Sequence, residues 1–400
     1  MKKIKRTLAL VMAAVMLLTG SSVLAFAETA DNHAPGQVRI TEPTPLFKED
    51  GSLTQSGYCY TDDLYQYDRD EIAAPGWRIK EWDFYQVSNE RYTMQITIAD
   101  ISLGGALTVG FFDTVEDKNY STMILDLFTG GEFIDLSKGA TTPHTYDVHR
   151  RNFDFHMDIT KEQRTIDFKG KINGEDFTVN IVLQMLPNHE SYVAAFPFDT
   201  KDNHHFYLNE KTNCMIATGT IKLGDDITVE YKGLEDNSFG VLDWGRGVWP
   251  FHETWWWGNG STQLEDGRIF GWEIGWDFGD TKEVSENCLF LDGKAYKIGY
   301  LKFENQEEIV KPLSSDWVKK GKGTKWVIRS YDDEACTIPN DDFNMEMTPI
   351  YDNYTMLRFV CVGNLCHQVF GHWNGTVKVG DEIIEIKDAY AFLERSDNMW

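Results

Sequence analysis

Apolar and polar residues alternate with a period of two through most of this chain, and this pattern limits the possible folds more than any other feature. Met94, Ile96 and Ile98 alternate with polar residues, and segments 153–159 and 177–183 repeat the pattern. Successive side chains of a β-strand point to opposite faces, so the alternation predicts antiparallel strands with one buried face. No long amphipathic helix is predicted. The sequence therefore indicates an all-β protein.

Turn-forming residues separate the predicted strands, as at Asn173-Gly174 and Asp225-Asp226. The chain of 400 residues is long for a single hydrophobic core and sufficient for two. Further strands are expected at 270–277, 325–329, 356–362 and 383–386. We therefore predict two sheets or barrels that meet near residues 230–240.

The first 27 residues have the three parts of an export signal. Basic residues open the chain, Leu8 to Leu18 form an apolar run, and Ala25-Phe26-Ala27 provides small residues at a cleavage site. The apolar run is too short to span a bilayer. Ser21 and Ser22 stand where a lipoprotein would need a cysteine for lipid attachment. We expect a secreted protein, in the cell envelope or outside the cell, without a membrane anchor. Residues 28–56, which include three prolines, are expected to form an extended arm.

Acidic residues outnumber basic ones by 63 to 38, which gives a net charge of −25. Such a surface repels nucleic acid and anionic lipid, so neither is expected as a partner. The histidines and cysteines are not placed at metal-ligand spacings. The sequence also lacks a phosphate-binding loop and a nucleophilic serine elbow. We therefore expect no metal and no cofactor.

One pair among the six cysteines is placed for a disulfide. Gly363-Asn364 is typical of a two-residue hairpin turn, and this turn places Cys361 opposite Cys366. Opposed Cα atoms of a non-hydrogen-bonded pair lie about 4.5 Å apart, within disulfide range. An exported protein could oxidise this pair, whereas a register slip of one residue would separate the two thiols.

Residues 239–279 contain seven of the 13 tryptophans, interleaved with acidic residues and arginine. An indole buries a large area while its N–H requires a partner. The stretch therefore predicts either an aromatic-walled binding site with polar groups at its centre, or a tryptophan-rich core with acids on its outer face. The predicted ligand-binding residues are Trp244, Arg246, Trp249, Trp255, Trp257, Trp272, Glu273, Asp277 and, outside the stretch, His372.

Asp243 and Glu253 are the predicted catalytic acids. A carboxyl surrounded by indoles is desolvated, which raises its pKa and keeps a proton available near neutral pH. Arg246, flanked by glycines, would oppose this if it pairs with Asp243; such a pair could instead fix the crossing between two domains.

The carboxylates of Glu273 and Asp277 are predicted to be too far apart to act as a glycosidase pair. Their backbones are separated by about 13 Å along a strand, whereas glycosidase carboxylates lie about 5–9.5 Å apart. A glycosidase would require one of them to face Asp243 or Glu253 from another strand.

The segments DWGRGVWPFHETWWWG (243–258), GWEIGWDFGDTKEVSENCLFLDGK (271–294) and HQVFGHWNGTV (367–377) resemble domain-of-unknown-function family 2804. The pattern Gly240-x-x-Asp243-Trp244 is more distantly similar to the signature of the carotenoid 1,2-hydratases and their AttH-like relatives. This likeness implies two lipocalin-like antiparallel β-barrels, here residues 57–235 and 236–400, with an apolar ligand cavity. It also implies that Asp243 occupies the position of the proton-donating aspartate of the hydratases.

Three functions are consistent with these residues. The first is an enzyme, hydratase/lyase-like or isomerase-like, that catalyses acid-assisted hydration, isomerisation or elimination on an apolar or amphipathic small molecule. The second is a carrier that binds such a molecule without chemistry. The third is a carbohydrate-active protein of glycosidase type that uses paired carboxylates. The tryptophans suit all three, because indole faces bind apolar ligands, sugars and developing cations.

Overall fold

The computed structural model describes residues 34–101, 104–130, 132–198, 201–310, 317–320, 324–359 and 362–399. Most of them lie in strands of two large antiparallel sheets, one of 13 strands and one of nine, each curled into a half-barrel. The predicted all-β, two-barrel fold class is confirmed. The predicted export signal lies outside the described residues. Within the described part of the chain, no helix is long and apolar enough to cross a bilayer.

The first sheet is formed by the N-terminal two thirds of the chain. Its order is β7-β6-β5-β4-β15-β13-β11-β10-β9-β8, with β12 and β14 also paired to β13 and β2 paired to β12, while β1 and β3 form a small parallel pair. The strands are β1 (Thr44–Pro45), β2 (Gly57–Cys59), β3 (Tyr65–Gln66), β4 (Lys80–Ser88), β5 (Tyr92–Asp100), β6 (Gly104–Asp113), β7 (Lys118–Leu127), β8 (His144–Arg150), β9 (Phe153–Ile159), β10 (Gln163–Ile172), β11 (Glu175–Gln184), β12 (Tyr192–Pro197), β13 (Phe206–Leu223), β14 (Ile227–Lys232) and β15 (Phe239–Val248).

The second sheet has the order β19-β18-β17-β16-β24-β23-β22-β21-β20. Its strands are β16 (His252–Gln263), β17 (Ile269–Trp276), β18 (Cys288–Leu291), β19 (Lys294–Lys297), β20 (Tyr300–Phe303), β21 (Trp326–Tyr331), β22 (Pro339–Phe359), β23 (Val362–Val379) and β24 (Glu382–Met399). Two single-turn helices, α1 (Gln306–Ile309) and α2 (Trp317–Lys320), follow β20. Short 3₁₀ turns occur at Arg69–Glu71, Gly76–Arg78 and Gly233–Glu235.

Each sheet curls around its own apolar cluster. The alternating residues of β5, β9 and β11 point into the first cluster, as their pattern predicts. Trp256, Trp272 and Trp373 belong to the second cluster. The sheets therefore bury their inner faces separately, and their outer faces are free to pack against each other.

The change from one sheet to the other occurs between Val248 and His252. Strand β15, which the predicted division at residue 235 assigns to the second barrel, pairs with β13 and β4 of the first sheet. The next strand, β16, pairs with β17 and β24 of the second sheet. The tryptophan-rich stretch 239–279 therefore belongs to both sheets, and its residues occupy several environments.

The predicted hairpin turn at Gly363-Asn364 is wrong. In the structure Gly363 pairs with Arg358, and the ladder continues to the pair formed by Phe359 and Val362. Because the ladder continues past Gly363-Asn364 in this register, Cys366 lies opposite Thr355. Cys361 lies outside the described residues.

A bulge in β13 forms the seam between the two sheets. The register against β15 shifts between Thr212 and Met215, and Cys214 adopts a positive φ of 62°. The Asn213 amide donates hydrogen bonds to the carbonyl oxygens of Trp272 (2.8 Å) and Gly260 (3.3 Å) in the second sheet. A bulge turns a side chain away from the ladder of its own strand, and here the Asn213 side chain bonds the neighbouring sheet.

Replacing Asn213 by alanine should destabilise the protein, because the buried seam loses both of these hydrogen bonds. We expect the free energy of unfolding to fall by about 1–3 kcal/mol. Urea denaturation measures this loss. The control is Asn180→Ala, which removes an exposed amide that donates to Asp167, and its effect should stay within about 0.5 kcal/mol. Equal effects of the two substitutions would contradict the role of the seam.

Candidate functional site

A cavity of about 330 Å³ lies between the outer faces of the two sheets. Strands β4, β5, β13 and β15 form one wall, and β16, β22, β23 and β24 form the other. The aromatic residues that line it are Trp82, Phe84, Tyr207, Trp255, Trp257 and Phe278. The ionisable residues that line it are Lys211, Asp243, Glu286, Cys366 and Glu394. Such a mixture, apolar walls with a few polar groups, is typical of small-molecule sites.

The alternation of β15 places Asp243 in this cavity. Asp243 and Gly245 share the outer face of the first sheet, whereas Trp244 points into the first apolar cluster. A Cβ atom on Gly245 would lie 2.5 Å from the Trp82 ring, so this glycine allows the indole to lie against the strand. The Trp82 N–H then reaches an oxygen of Asp243 at 3.3 Å.

Lys211 is the cationic centre of the site and is only 2% exposed. Its ammonium lies 2.8 Å from Asp243 Oδ1 and 3.2 Å from Glu286 Oε1. It also lies 4.7 Å from the centre of the Trp257 ring. Burial by itself lowers the pKa of Lys211, but the neighbouring carboxylates outweigh burial and raise that pKa above its usual value. The ammonium therefore remains charged at neutral pH.

Two further carboxyls surround the same ammonium. Glu273 is fully buried and accepts a hydrogen bond from the Trp257 indole at 2.7 Å. Glu286 accepts one from the Asn209 amide. Burial raises the pKa of both glutamates, although Lys211 opposes the rise. One ammonium cannot balance three carboxylates in a desolvated site, so protons are retained within this cluster.

Glu394 lies on the opposite wall, in β24, and no cation is paired with it among the described residues. Its carboxyl accepts hydrogen bonds from the Trp255 indole at 3.1 Å and from the Gln368 amide at 3.2 Å. Burial raises the pKa of Glu394 to about 7, against the effect of these hydrogen bonds, and the charge of Asp243 adds to the rise. Glu394 can therefore hold a proton near neutral pH and release it in the cavity.

A hydrogen-bond chain of amides fixes the orientation of Glu394 from across the cavity. Gln95 of the first sheet donates to Gln368 Oε1 at 2.6 Å and to Gln86 Oε1 at 2.9 Å. Because Gln368 accepts through its oxygen, its amino group is directed to Glu394. The two sheets therefore position this acid jointly.

The structure brings together only part of the predicted site. Asp243, Trp255 and Trp257 line the cavity, and Glu273 lies directly behind Trp257. Trp249 packs behind the cavity against Trp82, with ring centres 5.2 Å apart.

Trp244 and Arg246 were also predicted to bind the ligand, but the structure does not bring them to this cavity. Both point to the inner face of the first sheet, where Arg246 bonds Asp83 at 2.8 Å and stacks at 4.0 Å over the Trp244 ring. Since Asp243 faces the other side of the strand, Lys211 takes the place of the expected Arg246 partner. Arg246 therefore links side chains inside the first half-barrel.

The remaining predicted residues lie outside the cavity. Trp272 is in the core of the second half-barrel. Glu253 is half-buried, which raises its pKa to about 7, but it does not line the cavity. Asp277 is exposed beyond the end of β17, and His372 Nδ1 lies 3.2 Å from a carboxylate oxygen of Asp388.

Sequence reasoning missed Lys211, Glu286 and Glu394, which lie outside the tryptophan-rich stretch. A signal was present: Glu210-Lys211 come shortly after the apolar run 206–208, and Glu394 directly follows the apolar run 389–393. Charged residues in such positions are rarely buried unless they are paired. Among the described residues, no group of three or more histidine, cysteine, aspartate or glutamate side chains is placed to hold a metal ion.

Fold and site together define a class: an all-β protein of two half-barrel sheets with an acid-containing, aromatic-walled cavity between them. The chain belongs to the family described as a domain of unknown function, DUF2804, whose model matches residues 37–400. The family resemblance of the sequence motifs is thereby confirmed. A comparison with curated proteins finds no match.

Three solved structures are similar in fold. A protein from Nitrosomonas europaea described as AttH is 14% identical, with a TM-score of 0.45, over 82% of this chain and 96% of its own. CghA in complex with Sch210972 is 10% identical, with a TM-score of 0.46, over 81% and 89%. Kievitone hydratase from Nectria haematococca is 9% identical, with a TM-score of 0.42, over 89% and 98%. At these identities the likeness concerns the fold alone.

Glu394 should titrate near pH 7, because burial stabilises its protonated form. Carboxyl ¹³C NMR of glutamate-labelled protein should show midpoints near pH 7 for both Glu394 and Glu253, and the resonance that disappears in Glu394→Gln is that of Glu394. The raised pKa also means that the stability contributed by the proton is complete at low pH and is lost as the pH rises through 7. Between about pH 4.5 and 7, the free energy of unfolding should therefore fall less in Glu394→Gln than in the wild-type protein. A Glu394 midpoint near 4.5 would contradict the assignment.

Proposed function

We propose that this protein is an enzyme that moves protons on an apolar or amphipathic small molecule, adding water to a carbon–carbon double bond or removing it. Glu394 is the general acid, and Asp243 is the general base. The observation that carries the proposal is the contrast between these two carboxyls. They face one cavity from opposite sheets, and only Asp243 is paired with the Lys211 ammonium. A carboxylate paired with a cation and a carboxyl that holds a proton near neutral pH, on opposite sides of one cavity, provide a base and an acid.

In the hydration direction, Glu394 donates its proton to one alkene carbon. The other carbon becomes cationic and receives the oxygen of a water molecule, whose proton passes to Asp243. The net change is addition of one water, and solvent returns the proton from Asp243 to Glu394. Elimination follows the same steps in reverse.

The indole rings can stabilise the cationic intermediate. Trp255 and Trp257 line the cavity, with Trp82 on the facing wall. Their ring faces attract a developing positive charge, by up to ~2 kcal/mol in a desolvated site. The same residues hold the acids in place, since Trp255 bonds Glu394 and Trp82 bonds Asp243.

An exposed apolar strip supports an amphipathic substrate. Ala99 in the cavity wall pairs with Ala106, which pairs with Leu125, and Thr97 connects in the same way to Met123. Residues paired across strands share a face. Met123, Leu125 and Leu127 are 54%, 50% and 64% exposed, so the cavity wall continues into an apolar surface where a substrate tail could lie.

Glu394→Gln and Asp243→Asn should each abolish turnover and leave ligand affinity within about threefold, because each keeps the shape of the cavity and removes a proton donor or acceptor. Native mass spectrometry of protein purified from its own host would identify the retained ligand, and its water adduct or elimination product would be assayed. Glu253→Gln is the matched control, since Glu253 also has a raised pKa but lies outside the cavity. It should retain full activity.

The other functions correspond to other outcomes of this experiment. A retained ligand that the wild-type protein never converts would identify a carrier. Release of a reducing sugar, lost in Glu394→Gln, would identify a glycosidase. Full turnover by both variants would refute the acid–base assignment.

Met123→Glu combined with Leu125→Glu should weaken the binding of ligands with a long apolar tail, because the strip becomes charged. Affinity for a short analogue should not change. Calorimetric titration of both ligands gives the comparison, with Ser121→Glu on the same strand face as the control. Equal loss for the short and long ligands would contradict a role of the strip in holding the tail.

A further inference from the structure

Lys80 is a buried lysine that does not belong to the cavity between the sheets. It is 2% exposed and opens β4 on the outer face of the first sheet, in line with Trp82, but it does not line that cavity. Its ammonium lies 4.7 Å from the centre of the Trp249 ring and donates to the Arg78 carbonyl oxygen at 3.4 Å. An ammonium has three donors, so this single hydrogen bond leaves Lys80 incompletely bonded within the described residues.

Arg78 places a second cation next to Lys80. Its guanidinium is half-buried, donates to the Trp249 carbonyl oxygen and lies 5.6 Å from the centre of the Trp77 ring. In the described part of the chain, neither cation is ion-paired with a carboxylate. Burial, and then the charge of Arg78, lowers the pKa of Lys80 to about 7. The two positive charges therefore repel each other and share no anion.

Three other buried cations are bonded to oxygen atoms that offset their charge. Lys211 lies 2.8 and 3.2 Å from two carboxylates, and Arg246 bonds Asp83 at 2.8 Å. The Lys297 ammonium donates to one hydroxyl and two carbonyl oxygens. Buried charges in proteins are usually paired. Because the chain has a net charge of −25, two adjacent cations without a carboxylate partner indicate an anion that does not come from the chain itself.

Two exposed aromatic rings lie beside these cations. Trp77 is 61% exposed and directly precedes Arg78. Phe251 is 46% exposed and follows Trp249 by two residues, on the connection between β15 and β16 to which Arg78 bonds. Exposed aromatic rings beside a cation can pack against the apolar part of an anionic ligand.

We propose that Lys80 and Arg78 form a binding site for a small organic anion, a carboxylate that carries an aromatic or other apolar group. The guanidinium of Arg78 bonds the two carboxylate oxygens, a pairing that its planar geometry favours, and the charge of Lys80 adds to the attraction. The rings of Trp77 and Phe251 pack against the apolar group. The site goes beyond the proposed enzymatic function, because none of these residues lines the cavity between the sheets.

Ligand-detected NMR titration of the whole protein tests the proposal, with phenylacetate and 3-phenylpropionate as probes and 2-phenylethanol as their neutral counterpart. We expect saturable binding of the carboxylates and weaker binding of the alcohol. Arg78→Gln should weaken carboxylate binding about tenfold or more, because a charged hydrogen bond is lost. Lys80→Met should weaken it about threefold, because only a neighbouring charge is removed. Arg150→Gln is the matched control, since it removes a half-exposed arginine that lies near Asp126, and it should bind like the wild type.

Glu394→Gln, in the cavity between the sheets, should also bind these probes like the wild type, so the two proposed sites can fail separately. Phe251→Glu covers the case in which Arg78→Gln does not fold, because Phe251 is exposed and a carboxylate there repels an anion. Unchanged carboxylate affinity in Phe251→Glu would place the ligand elsewhere and contradict the proposal.

Three further results would overturn the proposal. The first is that neither carboxylate binds the wild-type protein. The second is displacement of the carboxylates by inorganic phosphate at lower concentration, which would identify a phosphate site. The third is binding to phosphatidylglycerol vesicles without binding of the free carboxylates, which would identify a membrane-binding surface.

Discussion

The buried ion pair between Lys211 and Asp243 is the interaction on which the site depends. Moving either charge out of water is costly, and a single pair rarely recovers that cost. Here the ammonium also has Glu286 at 3.2 Å and the Trp257 ring at 4.7 Å, so its charge is met from several directions. Lys211 and Asp243 lie opposite each other on neighbouring strands of the first sheet, whereas Trp257 belongs to the second sheet, so the second sheet completes the surroundings of the ammonium.

This arrangement gives the two carboxyls that face the cavity different properties. Asp243 shares the ammonium, whereas Glu394 has only the neutral donors of Trp255 and Gln368. Neutral donors stabilise a carboxylate less than a cation does, so burial dominates at Glu394 and its pKa rises to about 7. The division of roles between acid and base therefore follows from which wall carries the lysine.

The fold could be predicted from the sequence because period-two alternation is a local signal. Strands such as β5, β9 and β11 carry that signal within themselves, and the structure confirms them. Pairing is less local. Gly363-Asn364 has the composition of a turn, but the ladder of β22 and β23 continues past it, because the whole length of two long strands sets the register.

The site could be predicted only in part, for a similar reason. Asp243, Trp255 and Trp257 were found because they lie in one unusual stretch. That stretch crosses from one sheet to the other at residues 248–252, so Trp244 falls into the first core, Trp256 and Trp272 into the second, and Trp249 into a third apolar cluster. Arg246 was considered as a partner for Asp243 because the two are close in sequence, but an odd separation places them on opposite faces of β15. Lys211 and Glu394 reach the cavity through long-range pairing, which composition does not reveal.

In strand β13, neighbouring residues contact different parts of the molecule. Glu210 accepts a hydrogen bond from the Ala140 amide, Lys211 faces the cavity between the sheets, and Asn213 bonds the second sheet. The regular ladder up to Thr212 places Lys211 opposite Asp243. The bulge then ends this alternation and turns the Asn213 side chain to the seam. One strand therefore supplies the cation of the cavity from its regular part and the link to the second sheet from its irregular part.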